Sequence, residues 1–155
     1  MIIKNAEVLN SKKIKQILKI LQNQWGYPEK FDYGFLQKEN DIFLVTKDID
    51  KIDLNEVNVN SLGLYFGELR HEQLRLSIEG SQIIGKKASK NVISLNDEQL
   101  QQWLKGDNIT LTTSAENNSF VLIKNNKDFF GCGRIKDGLL LNFVPKSRRM
   151  SISRI

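Results

Sequence analysis

FFGCGRIKDGLLLNFVPKSRR, residues 129–149, decides how the rest of the chain is read. FFGCGRIK (129–136) and LLLNFV (139–144) are apolar runs of strand length, and Asp137-Gly138 between them is a strong hairpin signal, because the pair accepts positive φ at little cost. Pro145 ends the second strand, and Lys146, Arg148 and Arg149 follow with no acid among them. A hairpin thus runs straight into a cationic tail.

Upstream the same texture continues. FVLIK (120–124) is a strand closed by a tight turn at Asn125-Asn126, NITLTT (108–113) a further strand, and VISL (92–95) a short one. NDEQLQQWLKG (96–106) is a helix, with Asn96 as cap, acids in the first turn, Lys105 in the last and Gly106 as stop. Four short strands after one strand and one helix predict a compact barrel.

The segment SQIIGKKASKN (81–91) interrupts the hydrophobic pattern with small and basic residues, and the domain seam is expected at about 86–89. Before it, Ile14, Ile17, Leu18, Leu21 and Trp25 recur at helical spacing behind an Asn10 or Ser11 cap, with Gly26 and Pro28 as stop signals. FDYGFL (31–36) and DIFLVTK (41–47) are a predicted strand pair across a polar turn at 37–40. DIDKIDLNEV (48–57) suits a short helix or turn. SLGLYFGEL (61–69) and QLRLSIEG (73–80) form a second predicted pair, the latter on the alternation Leu74, Leu76, Ile78. The expected fold class is α+β: residues 1–86 form a helix-on-antiparallel-sheet module, and 87–155 form a β-barrel.

Charge divides at the same place. Residues 1–85 carry 11 Lys+Arg and 12 Asp+Glu, whereas 86–155 carry 12 and 6, so the net charge of +5 resides in the second half. Such asymmetry points to a polyanion, although a basic face also serves solubility. No apolar run reaches the ~18–20 residues of a membrane span, no secretory signal is evident, and Cys132 is the sole cysteine. These features place the chain in a reducing cytoplasm.

The second half resembles a PUA domain, the RNA-binding module of pseudouridine synthases and archaeosine transglycosylases. The likeness rests on WLKGDNI (103–109), where a helix ends in leucine and glycine before a strand, and on the Gly-x-Gly strand, hairpin and closing strand of 129–149. NFVPKSRR (142–149) is similar to the Asn-x-x-Pro-Lys-x-x-Arg stretch in PUA-like tails of RNA cytosine methyltransferases linked to ribosome biogenesis. VNSLGLYFGEL (59–69) and RLSIEGSQIIG (75–85) resemble the α/β pre-PUA module that precedes the barrel in small archaeal and eukaryotic ribosome-biogenesis factors. The methyltransferase segment is not in this sequence; only the RNA-holding part of such an enzyme is expected here.

The resemblance implies a structured-RNA partner, rRNA or tRNA, with contacts at Lys86, Lys87, Lys90, Lys105, Arg134, Lys136, Lys146, Arg148 and Arg149. Lysine and arginine neutralise phosphates, and arginine also stacks on bases. In PUA domains the helix end lies close to RNA, so Lys105 is the expected contact there, while Gly106 is a helix stop. The lysines at 12, 13, 15 and 19 read as a solvated helix face. Phe129, Phe130 and Phe143 are stacking candidates; of the adjacent pair one must be core and the other is free to be exposed or to pack between modules. Trp103 reads as core.

The catalytic inventory is thin. His71 lies alone in a polar turn, RHEQ (70–73), and Cys132 sits between glycines without a histidine partner. One Cys and one His make no zinc site, and GSQIIGK (80–86) misses the phosphate-loop spacing. No catalytic residue, metal or cofactor is expected. The leading expectation is a non-catalytic RNA-binding protein of ribosome biogenesis or RNA modification. The alternative is an accessory subunit whose barrel docks a separate RNA-modifying enzyme, with the N-terminal module free to hold a protein partner. The sequence is silent on oligomeric state.

Overall fold

The computed structural model describes residues 6–28, 30–46 and 63–150. Its first sheet is an antiparallel meander, β1 (Ala6–Val8), β2 (Gly34–Lys38), β3 (Asp41–Val45), β4 (Leu64–Arg70) and β5 (Gln73–Leu76), ordered as in the chain. Helix α1 (Ser11–Trp25) covers it. The Asn10 side chain accepts the Lys13 amide at 2.9 Å, and the helix stops at Gly26 in the left-handed conformation. Ile17, Leu21 and Trp25 on its inner face meet Phe35, Ile42, Phe66 and Leu74 of the sheet in one buried cluster. The aromatic residues interlock: Phe31 stacks on Phe35 at 5.3 Å, and Phe66 meets both edge-on. The segment 48–57 and the start of VNSLGLYFGEL lie outside the described residues.

The reading of 73–80 as one strand is corrected. β5 ends at Leu76, Ser77 caps a new helix by accepting the Gly80 amide at 2.9 Å, and α2 runs Ile78–Gly85. The alternation Leu74, Leu76, Ile78 continues by coincidence, because the first residue of α2 is apolar for packing against the second sheet.

That second sheet is ordered β6 (Val92–Ser94), β8 (Phe120–Asn125), β9 (Asp128–Lys136), β10 (Leu139–Asn142), β7 (Ile109–Thr110), and it curls into a half-barrel. β6 pairs with β8 in parallel and the other pairs are antiparallel. Asp137 and Gly138 both take positive φ, as the hairpin demands. The turn expected at Asn125-Asn126 sits one residue later, at Asn126-Lys127, because Asn125 completes β8 and its buried side chain donates to the Leu95 carbonyl and to Asp97. Only Ile109 and Thr110 of NITLTT enter the ladder. Helix α3 (Asp97–Leu104) begins with a full capping box between Asn96 and Gln99, the expected start, and places Trp103 inside the curl.

Both faces of this sheet are buried. Val121, Ile123, Ile135 and Leu140 surround Trp103 in a cluster of the second half, while Phe120, Leu122, Phe129 and Cys132 enter the cluster built by α1 and the first sheet. α2 lies along this boundary. Its Ser81 hydroxyl accepts the Gly131 amide at 3.0 Å, and Gly85 comes so close to the Phe129 ring that an added Cβ would sit 2.5 Å from it. The first core is therefore completed by residues from far along the chain.

Candidate nucleic-acid interface

The NFVPKSRR stretch acquires a physical meaning at the end of α3. Asn142 closes β10, and its side-chain amide donates to the carbonyls of Trp103 at 2.8 Å and Asp107 at 2.9 Å. Its own amide donates to Asn108 Oδ1, and its Oδ1 accepts the Val144 amide at 2.7 Å. One residue thus fastens the helix end, the loop after it and the departing tail. Pro145 then leads into a single 3₁₀ turn, Lys146–Arg148.

Beyond that turn the chain folds back on α3. The Met150 amide donates to the Leu104 carbonyl at 2.7 Å, and Arg149 Nε donates to the Val144 carbonyl at 2.9 Å. The Arg149 side chain lies directly over Gly106, which has φ +94° and whose missing Cβ leaves the space the guanidinium fills. Gly106 is a helix stop, as expected, and also the floor beneath an arginine. Lys105 is the C-cap residue next to it. Lys105 and Arg149 thereby meet at one helix end, where the negative end of the helix dipole also favours cations, while Lys146 and Arg148 sit on the adjoining turn, Arg148 reaching Glu79 at the start of α2.

The other expected contacts lie elsewhere. Lys86 caps the far end of α2 from Glu79, roughly one eight-residue helix length away, or ~12 Å. Lys87 is exposed beside it. Lys90 is exposed where its amide donates to the Trp25 carbonyl at 3.3 Å, against the end of α1. Arg134 and Lys136 are on β9; Arg134 packs its guanidinium over the Phe120 ring at 5.5 Å and donates to the Asn118 carbonyl, whereas Lys136 is exposed near the hairpin. The nine cations thus fall into three groups, of which the tail group is the most tightly organised.

Neither member of the phenylalanine pair is exposed. Phe129 is buried against Gly85, and Phe130 packs on the cluster around Trp103, its carbonyl accepting the indole N–H at 2.8 Å. Alternation does send them to opposite faces, but both faces are covered. Phe143 packs against the first core beneath the Arg75 guanidinium, 4.7 Å from its ring centre.

Burial raises the Cys132 thiol to about 12, which leaves it un-ionised at neutral pH. His71 occupies a turn at positive φ. No helix among the described residues is long and apolar enough to cross a membrane.

Residues 90–150 match the family model of the methyltransferase RsmF PUA domain. Over this stretch the chain is similar to a PUA domain. The stretch takes in α3, the whole second sheet and the tail junction, including Asn142, Lys105, Lys146, Arg148 and Arg149. The match ties the chain to RNA binding in the setting of RNA modification. No curated protein matches the chain. Asn142 escaped the sequence reading as a functional position, although the Asn-x-x-Pro-Lys-x-x-Arg spacing contained it. Arg75, Tyr65 and Glu79, from the first half, also went unremarked, because nothing local to them signals that the PUA tail folds against them.

Proposed function

We propose that the chain is a non-catalytic, cytoplasmic RNA-binding protein that holds structured rRNA or tRNA during ribosome biogenesis or RNA modification. The observation that carries this reading is the tail junction of the PUA domain: Asn142 and Gly106 set Arg149 beside Lys105, with Lys146 and Arg148 on the adjoining turn. An arginine whose backbone and side chain are already held in place, as Arg149 is, donates to phosphate oxygens at a smaller ordering cost than a free one. Shape-based recognition of RNA requires a rigid platform and cations but no reactive group.

The test is a gel-shift series with a structured RNA across salt concentrations, using the full chain and an Arg148→Glu/Arg149→Glu variant. The logarithm of affinity should fall linearly with the logarithm of salt concentration, and the double reversal should weaken binding by roughly 100-fold or more, the scale of two charged hydrogen bonds lost. Binding that ignores salt, or a variant that binds like the parent chain, overturns the proposal.

A further inference from the structure

A cleft of about 250 Å³ opens where the first sheet, the start of α2, β9 and the PUA tail meet. Leu64 and Tyr65 of β4 form one wall, and both are unusually exposed for such large side chains, at 40% and 39%. Arg75, its guanidinium carbon 4.7 Å from the centre of the Phe143 ring, lines the same cleft with Phe143, and Arg148 and Glu79 join across its lining in an ion pair at 2.6 Å. We propose that this cleft takes one unstacked RNA base, sandwiched between the Tyr65 ring and the Arg75–Phe143 stack, with its phosphate on Arg148. The inference rests on the RNA-binding reading above and adds a specific subsite to it.

Three features select a nucleotide as the occupant. The Arg75 guanidinium lies over the Phe143 ring within the lining of the cleft, and splayed RNA bases are bound on such arginine and aromatic groups. The rim carries both signs of charge. Glu79 suits the amino or imino hydrogens of a base edge and Arg148 the phosphate, whereas an acidic peptide would meet Glu79 in the lining, with Glu68 close behind, 3.7 Å from Arg75. Finally, the cleft is continuous with the tail: Arg148 belongs to the same 3₁₀ turn as Lys146 and adjoins Arg149. A strand leaving the cations at the end of α3 reaches the cleft along one turn of chain.

In the free protein Glu79 occupies the Arg148 guanidinium. A phosphate must displace it, so the ion pair competes with the nucleotide, and Glu79→Gln, which removes the charge but keeps an oxygen to accept from the base edge, should strengthen binding to the overhang.

The experiment compares two RNAs on the full chain: a hairpin with a single-stranded 3′ overhang of adenosines, and the same hairpin blunt. One stacked base predicts that the overhang tightens binding about 5- to 100-fold. Tyr65→Ala, on an exposed side chain, and Arg75→Lys, which keeps the charge and loses the plane, should each bring the two affinities close to equality while leaving the blunt hairpin unchanged. Glu79→Gln should increase the preference. Equal affinities in the parent chain, or a preference that survives both Tyr65→Ala and Arg75→Lys, overturns the cleft proposal alone. Failure to bind either RNA overturns it together with the RNA-binding reading. Concentration-dependent self-association abolished by Tyr65→Ala, with equal affinities, would assign the patch to a second copy of the chain and likewise overturn it.

Discussion

The α2–β9 seam and the tail junction both join distant parts of the chain, and they are built from opposite materials. At the seam, Gly85 lies on the Phe129 ring, Ile84 is fully buried, and the Ser81 hydroxyl accepts one hydrogen bond from the Gly131 amide. At the junction, hydrogen bonds to main-chain groups dominate: Asn142 makes four contacts and Arg149 Nε finds a carbonyl, while the residues from Pro145 to Met150 stay exposed. Apolar contact is non-directional and stabilises in proportion to the area it covers. Hydrogen bonds contribute less net stability but specify direction. The seam accordingly holds the two halves together, and the junction aims charges.

Mutations at each joint separate these roles. The largest effect should come from Phe129→Ala, which empties the seam: an aromatic-to-alanine change in a core costs ~3–5 kcal/mol. Urea denaturation followed by tryptophan fluorescence should show a single, shifted transition, because Phe129 shares its cluster with Trp25. A transition that splits in two with the first-half signal unmoved would show that the seam does not couple the halves.

Asn142→Ala should have a smaller and differently distributed effect. Removing an amide that serves two carbonyls costs ~1–3 kcal/mol where the groups are shielded from water. Here the sharper result is in RNA binding, which should weaken beyond what the stability loss explains, as read from a titration well below the melting temperature. If affinity is untouched, the junction does not position the cations. Smallest of all, Glu79→Gln should change stability by no more than ~0.5–1 kcal/mol, since the Arg148–Glu79 pair is partly exposed, at 49% and 32%. A larger loss by the same denaturation assay would make this contact part of the seam.

Much of this was legible beforehand, for local reasons. Asn10 and Asn96 announce their helices because a cap is a contact between near neighbours. Asp137-Gly138 announces its hairpin because turn conformation is a property of two residues. The PUA half was recognisable on its own motifs. What stayed hidden depends on partners remote in sequence. The first turn of α2 reads as strand because Ile78 continues an alternation whose meaning changes at Ser77, and its remainder reads as a seam; the bonds that reveal the switch are donated by the Gly80 amide to the Ser77 hydroxyl and, across the molecule, by the Gly131 amide to that of Ser81. Phe130 was a candidate for exposure because no pattern in β9 reveals that its sheet is covered on both sides. The ring of Phe143 beneath Arg75 joins residues from opposite halves of the chain, and composition alone could show that the second half is basic but not which of its cations meet.

The placement of Phe120, Leu122, Phe129 and Cys132 in the first core has a consequence for biosynthesis. Translation delivers α1 and the meander early, yet the apolar surface they expose lacks its cover until the ninth strand has left the ribosome. The nascent chain must keep that surface from associating with other chains during the interval, in the manner of proteins whose early segments fold only once later ones arrive.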